Sequence, residues 1–152
     1  MNGSRFGQPE AESFKITDKF LRGLEATENG VFVVNIPAAD MMAATGDMAK
    51  TVAAIQYIDT CVGGICESMR ERDGVVMITS THGNCEEMFD AANRKKKYAT
   101  TSNPVPFHYI DTQTTDTTLR DNGALEDIAP TILSVLGIEK PLEMTGTDLR
   151  GN

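Results

Sequence analysis

The sequence predicts an α/β fold in which a mostly parallel sheet is flanked by helices. The first observation is a pair of short apolar runs rich in β-branched residues, residues 31–35 and 75–79, each of the length of a buried strand. The second is the segment between them, which predicts an amphipathic helix covering the sheet. Its apolar residues alternate spacings of three and four, at Ile55, Ile58, Val62, Ile65 and Met69. A strand, a crossover helix and a second strand of this length form a parallel βαβ unit.

Local end signals delimit the helices of the amino-terminal half. Residues 17–25 predict a short helix that ends near Asn29 and Gly30. The triplet Thr45-Gly46-Asp47 is typical of the start of the crossover helix, because a threonine or aspartate side chain can cap the first turn. A turn at residues 73–74 ends this helix before the second strand begins.

The carboxyl-terminal half continues with a loop, a strand and a helix. Residues 93–102, with the basic run 94–97, predict an exposed loop, although such a run could also meet a phosphate or an acidic partner. Residues 105–110 predict a strand whose prolines restrict its start to a sheet edge or an irregular entry. Residues 125–136 predict the last helix, with Gly137 after its end. We expect one domain over residues 1–152.

Composition indicates a globular protein of the cytoplasm. The chain has 40% hydrophobic and 24% charged residues, and no apolar run approaches the length of a membrane span. The first 13 residues contain no apolar segment typical of a signal peptide. A net charge of −8 disfavours general nucleic-acid binding, which depends on neutralising phosphates. The three cysteines lack zinc-ligand spacing and indicate reduced thiols.

The run Thr79-Ser80-Thr81-His82-Gly83-Asn84 follows the second predicted strand at the end where α/β enzymes place their chemistry. Together with four other segments it resembles the carboxyl-terminal portion of the cofactor-independent (2,3-bisphosphoglycerate-independent) phosphoglycerate mutases of the alkaline phosphatase superfamily. The matching segments are residues 35–46, 79–88, 103–107, 123–133 and 141–149. The resemblance implies an alkaline-phosphatase-like fold, present here only in part.

The resemblance also implies a chemistry. Members of the family move a phosphoryl group between the 3- and 2-positions of glycerate through a phosphoserine, using two manganese ions. Such ions lower the pKa of the nucleophile and stabilise charge on the phosphoryl oxygens. Carboxylate and imidazole are the side chains that suit them as ligands.

Most of the family's ligands are replaced in this chain. For one ion, the resemblance places Asp40 at the first ligand position, but Ala44 and Thr100 at the two histidine positions. For the other ion, it places Thr81 at the aspartate position and His82 at the histidine position. No segment matches the family's amino-terminal region, which supplies a further aspartate and the nucleophilic serine. We therefore expect Asp40 and His82 to be metal-site remnants, no catalytic residue, and no cofactor in this chain alone.

The surviving residues also have simpler interpretations. Asp40 is interpreted as a loop carboxylate that accepts backbone hydrogen bonds near a helix start, and His82 as a hydrogen-bonded structural group. Glu86 and Glu87 are interpreted as a solvated or helix-capping pair.

These observations leave three hypotheses for function. The first is a truncated, degenerate mutase-like protein without independent mutase activity, acting as a binding or interaction module. The second is an enzyme component, completed by another chain, that interconverts 2- and 3-phosphoglycerate. The third is weak hydrolysis of phosphate esters by Asp40 and His82. Because early strands of the resembled fold are not matched, we also expect an open sheet edge that pairs with a second copy or a companion chain.

Overall fold

Helix α1 (Pro9–Glu25) is longer than the sequence predicts. Acidic side chains in its first turn and Arg22 in its last turn complement the helix dipole, which favours negative charge at the start and positive charge at the end. The computed structural model describes residues 9–90, 92–114 and 117–151. Most of the first 13 residues, for which no signal segment is predicted, therefore lie outside the described residues.

Helices α2 (Ala38–Ala43) and α3 (Met48–Arg70) are joined by a tight turn. Gly46 adopts a φ of 65° in this turn, a conformation that glycine accepts without steric cost. The Asp47 side chain then accepts a hydrogen bond of 3.1 Å from the Lys50 backbone N–H and caps α3. At the other end, the Gly74 N–H donates to the Met69 carbonyl at 2.8 Å. Both predicted ends of the crossover helix are confirmed.

The buried face of α3 agrees in large part with the predicted one. The fully buried residues of the helix are Thr51, Ala54, Cys61 and Ile65. Ile65 joins Phe20 and Leu24 of α1 in one core cluster, whereas Ala54 joins α2 in a second cluster. Ile55, expected on the covered face, is 44% exposed. Ile58 and Met69 pack against these clusters, so the predicted face is confirmed there and at Ile65 but not at Ile55.

The strands pair in an antiparallel manner. Strand β1 (Val76–Thr79) pairs with β4 (Phe107–Ile110), with Val76 opposite Ile110 and Thr79 opposite Phe107. Strands β2 (Phe89–Asp90) and β3 (Lys95–Lys96) form a separate hairpin. β1 and β4 lie within the predicted strands 75–79 and 105–110, so these two predictions are confirmed.

The predicted mostly parallel sheet is not confirmed by the described residues. Their sheets are two antiparallel pairs, and residues 31–35 form no strand. A parallel sheet needs neighbouring strands that run in the same direction and exchange backbone hydrogen bonds. Among the described residues, β1 pairs with β4 alone, which runs antiparallel to it, and residues 31–35 make no backbone hydrogen bond.

The chain divides into two compact units, Met1–Asp111 and Thr112–Asn152. The second unit contains a 3₁₀ turn (Leu125–Asp127) followed by α4 (Ile128–Val135), where a single helix over residues 125–136 is predicted. Gly137, with a φ of 66°, follows the helix as expected. A single domain over residues 1–152 stays a prediction. None of the described helices combines the length and apolar character needed to span a membrane.

Candidate functional site

The candidate site lies where α2 meets the loop that follows β1. The first turn of α2 carries Asp40, and the loop at residues 80–88 carries His82 and Asn84. Two hydrogen bonds set the path of the loop. The Thr79 hydroxyl donates to the Pro106 carbonyl at 2.9 Å, and the Ser80 hydroxyl donates to the His82 carbonyl at 2.8 Å.

Asp40, His82 and Asn84 form one polar cluster. The Asn84 side-chain amide donates to Asp40 Oδ1 at 2.6 Å, and the same oxygen lies 3.5 Å from His82 Nε2. Asn84 is buried, whereas the side chains of His82 and Asp40 are 34% and 51% exposed. The structure therefore brings together the two remnants that the resemblance assigns to different metal ions.

The other nitrogen of His82 also has a polar neighbour. Its Nδ1 lies 3.1 Å from the hydroxyl of Thr81, the residue at the lost aspartate position. Both ring nitrogens thus face polar groups, as expected for a structural histidine. The prediction for Asp40 was wrong in detail, because its described hydrogen-bond partner is the side chain of Asn84 and not a backbone N–H.

Glu86 fastens the loop from the other side. Its Oε2 accepts the backbone N–H of Asn84, the residue before the 3₁₀ turn Cys85–Glu87, at 2.6 Å. Its Oε1 accepts the Thr101 hydroxyl and, at 3.0 Å, the side-chain amide of Asn103. The Thr101 hydrogen bond is the largest of the effects that lower the pKa of Glu86 to about 2. Glu86 is exposed, in agreement with the solvated one of its two interpretations, but its carboxylate is engaged in structural hydrogen bonds.

Cys85 lies between the two acidic groups. Its Sγ is 3.6 Å from the Ala39 carbonyl, and burial, followed by the negative charges of Asp40 and Glu86, raises the pKa of its thiol. A raised pKa reduces the thiolate fraction, which is the nucleophilic form. The geometry gives this cysteine a packing role.

The basic run belongs to the β2–β3 hairpin. Lys95 and Lys96 form β3, and Arg94 adopts a φ of 51° just before it. Lys97 Nζ lies 2.6 Å from Glu87 Oε1, and this hydrogen bond raises the pKa of Lys97. The run is largely exposed, as predicted, but it is a structured hairpin and not a loop.

The residues at the lost ligand positions offer no replacement donors. Ala44 lies one helical turn after Asp40, and its N–H donates to the Asp40 carbonyl at 2.9 Å. Thr100 is exposed. Across the described residues, no group of three or more His, Cys, Asp or Glu side chains could hold a metal ion. Only Asp40 and His82 carry a carboxylate or an imidazole at the matched ligand positions, so the donor set present does not fit the two-metal centre of the resembled family.

The second unit is organised around Asp127, whose importance the sequence did not reveal. Its carboxylate accepts the backbone N–H groups of Thr147 and Ala124 at 2.7 and 2.8 Å, and it pairs with Arg120 at 2.7 Å. The Thr147 hydrogen bond is the largest cause of a lowered Asp127 pKa. Asp127 lies in segment 123–133, one of the segments that match the family, so this residue of the segment has a structural role.

The chain is similar to known proteins in sequence and in structure. A family model described as the Metalloenzyme superfamily matches residues 3–140. The 2,3-bisphosphoglycerate-independent phosphoglycerate mutase of Clostridium botulinum (strain Langeland / NCTC 10281 / Type F) is 41% identical over 142 residues, which are 93% of this chain and 28% of the relative. The mutase of Pseudomonas fluorescens (strain Pf0-1) is 40% identical with the same coverage.

Among solved structures, a Leishmania mexicana phosphoglycerate mutase at low cobalt concentration matches with a TM-score of 0.84 and 22% identity. The match covers 97% of this chain and 30% of that chain, and it shows that the fold is shared. The chain thus spans less than a third of the length of the relatives it matches. The predicted resemblance to a carboxyl-terminal portion of these mutases is confirmed.

Proposed function

The chain belongs to the Metalloenzyme superfamily, and from this premise we propose that it is a degenerate phosphoglycerate mutase-like protein without independent mutase activity. It would keep the scaffold of the family's metal site and act as a binding or interaction module. We place it in the cytoplasm, supported by its three free cysteines.

The observation that carries this proposal is the cluster of Asp40, His82 and Asn84. One carboxylate oxygen is shared between an amide donor at 2.6 Å and an imidazole nitrogen at 3.5 Å, so the protein itself satisfies it. A metal-free site with the family's full set of carboxylates would bring like charges together and raise the cost of burial. Threonine at position 81 removes one such charge and offers its hydroxyl to the imidazole instead.

The proposal is tested by measuring mutase activity and manganese binding on the same preparation. We expect no interconversion of 2- and 3-phosphoglycerate above the uncatalysed rate, and no stoichiometric manganese in a calorimetric titration. Two bound manganese ions per chain, or turnover that depends on added manganese, would refute the proposal.

A variant in which the family's ligands are restored tests whether the replaced side chains alone account for the proposed loss of metal binding. The substitutions A44H, T81D and T100H restore the donors at the three replaced positions. Residue 44 follows Asp40 by four positions, which places the two side chains on one helical face. We expect this variant to bind manganese more tightly than the native chain. The matched control carries A44Q, T81N and T100Q, which have similar sizes but no carboxylate or imidazole, and it should bind no better than the native chain.

A second candidate is favoured by the closeness of Asp40 and His82. The resemblance assigns them to different ions, yet only 3.5 Å separates Asp40 Oδ1 from His82 Nε2, so a partner supplying the absent ligands would meet both at one place. On this alternative the chain completes a mutase or phosphatase site together with another polypeptide. Co-purification of an active complex with bound manganese, and loss of that activity in H82A, would favour it over the first candidate.

A further inference from the structure

The β2–β3 hairpin is an exposed element whose conformation is fixed at both ends. Met88, the residue before β2, is buried, and its carbonyl accepts the Lys97 N–H at 2.9 Å. At the turn, the Asp90 carboxylate accepts the backbone N–H groups of Ala92 and Asn93, each at 3.0 Å. A hairpin that is ordered before binding loses little conformational entropy when a partner docks on it.

The basic side chains of this hairpin are largely without acidic partners. The run at residues 94–97 holds four of the chain's 14 Lys and Arg residues. In the described part of the chain, only Lys97 of these four forms an ion pair, with Glu87. Three consecutive cations, at residues 94–96, are therefore open to a ligand of opposite charge.

The outer edge of β3 has the geometry to accept an added strand. β3 pairs with β2 alone among the described strands, and Phe89 lies opposite Lys96. The adjacent pair, Met88 and Lys97, is joined by a backbone hydrogen bond. Because such pairs alternate in an antiparallel ladder, the N–H and C=O groups of Lys96 point away from β2. An extended segment of another chain can bond to these groups.

A strand added at this edge would meet positive charge on both faces of the hairpin. Successive side chains of a strand point to opposite faces, so Lys95 and Lys96 lie on opposite faces, with Arg94 at the turn. On the Lys96 face, the rings of Phe89 and Tyr98 are 54% and 56% exposed. Exposed aromatic rings beside cations are typical of protein interfaces, which are enriched in aromatic residues and arginine.

We propose that the β2–β3 hairpin is a docking site for an extended acidic segment of a partner protein, which pairs with the edge of β3 and places carboxylates beside Arg94, Lys95 and Lys96. Opposite charges across two paired strands stabilise the pairing, whereas lysines on an edge strand repel a copy of the same edge. The hairpin thus favours an acidic partner and disfavours pairing with itself. This inference goes beyond the proposed function, because the docking surface contains none of the residues of the polar cluster in the candidate site.

The charge of the rest of the chain favours a protein segment over nucleic acid or an anionic membrane. With four of the 14 basic residues inside 94–97, the remaining ten are accompanied by 22 acidic residues. A nucleic acid or a lipid surface extends well beyond the hairpin, and this excess of negative charge would repel it. A segment that covers only the hairpin meets the three cations and little of that excess.

The experiment measures binding of the full chain to a fluorescently labelled synthetic peptide rich in glutamate and valine, by fluorescence anisotropy at low salt. We expect this peptide to bind, and the same peptide with glutamine in place of glutamate to bind about tenfold more weakly or less. Added salt should weaken binding, because exposed charge pairs are screened. Hydrogen exchange at the Lys96 amide, measured by NMR, should slow by about tenfold or more when the glutamate peptide is bound.

Two double variants with the same change in net charge locate the site. K95Q/K96Q removes two cations of the hairpin, keeps the ion pair of Lys97, and should weaken binding of the glutamate peptide by about tenfold. K15Q/K19Q removes two exposed cations of α1 and should change binding by less than about twofold.

Several results would overturn the proposal. These are no binding of the glutamate peptide, equal effects of the two double variants, or unchanged exchange at Lys96. Tighter binding of single-stranded DNA or of phosphatidylserine vesicles, abolished in K95Q/K96Q, would instead assign the hairpin to a polyanion or a membrane. A dimer of the chain that K95Q/K96Q dissociates would assign it to a second copy. None of these measurements involves manganese or mutase turnover, so failure of the docking site and failure of the proposed function are distinguishable.

Discussion

Replacing Asp127 is expected to destabilise the second compact unit strongly. The side chain is 8% exposed and joins three segments of that unit. Oδ1 accepts the Thr147 N–H at 2.7 Å, and Oδ2 accepts both the Ala124 N–H at 2.8 Å and the Arg120 guanidinium at 2.7 Å. D127A would therefore leave two backbone donors and one cation without their acceptor.

The size of the effect follows from these partners. Hydrogen bonds to a charged group contribute about 1.5–3 kcal/mol each, but bonds to one carboxylate are not additive, and Arg120 is 40% exposed and can turn to water. We expect D127A to lower the free energy of unfolding of the unit by about 3–4 kcal/mol. D127N keeps an acceptor for Thr147 but presents an amide donor to Ala124 and Arg120, so we expect a loss of about 2 kcal/mol.

The measurement must report on the unit itself. All three tyrosines lie in Met1–Asp111 and the chain has no tryptophan, so intrinsic fluorescence does not follow unfolding of the second unit. Hydrogen exchange of peptides from Thr112–Asn152 as a function of urea does so directly. The control is D121N, an equally conservative change of an exposed aspartate, which should shift stability by less than about 0.5 kcal/mol. Equal effects of D127A and D121N would refute the conclusion that Asp127 stabilises the unit by joining its three segments.

The pH dependence provides a second check on the same reasoning. Because hydrogen bonds lower the pKa of Asp127 in the folded state, its contribution is present above the ordinary value of 3.8 and is lost as the pH falls through the folded-state pKa. D127N should therefore make the loss of stability toward acid pH less steep. Part of that loss should remain in D127N, because Asp148 also has a lowered pKa. Burial raises the pKa of Asp148, but hydrogen bonds from Arg150 and Ser134 outweigh this effect and lower the pKa to about 2.

Three further predictions concern the first unit. Because the pKa of Glu86 is lowered to about 2, E86Q should remove stability that the native chain has above pH 4.5 and loses toward pH 2, and parallel acid-unfolding curves of the two proteins would contradict this. N84D should destabilise the unit more at pH 7 than at pH 3, because it sets a second carboxylate against Asp40; the opposite order in urea unfolding followed by circular dichroism would exclude the contact. G46A should cost about 1–2 kcal/mol, because the residue has a φ of 65° and an added Cβ would lie 2.6 Å from the Tyr98 ring; an unchanged melting temperature would exclude that conformation.

Features encoded by neighbouring residues could be predicted, and those that depend on distant partners could not. The start of α3 followed from Asp47, whose side chain reaches a backbone N–H three positions away. The antiparallel pairing of β1 with β4 joins Thr79 to Phe107, and no local pattern encodes that partner. The apolar run at 31–35 had the composition of a strand, yet its pairing depends on backbone that the described residues do not supply.

The candidate site likewise combines features that the sequence encodes locally with contacts that depend on distant residues. Asp40 and His82 could be selected from the resemblance, because the family's motifs fix their positions in the sequence. The cluster that they form with Asn84 could not be predicted, because no local pattern marks Asn84. Its hydrogen bond to Asp40 exists only because α2 packs beside the loop. Glu86 carried a local signal, its position two residues after Asn84 in a short helical turn, but its bonds to Thr101 and Asn103 cross the chain.

The bond between Asn84 and Asp40 spans 44 positions in the sequence, and this separation bears on the order in which the protein folds. Closing so long a loop costs chain entropy that is recovered only when the intervening helix and strand are already in place. We therefore expect the contact to form after the folding transition state. Weakening it should accelerate unfolding while leaving the refolding rate almost unchanged in stopped-flow experiments. The junction between α2 and the loop would then be the first part of its unit to open.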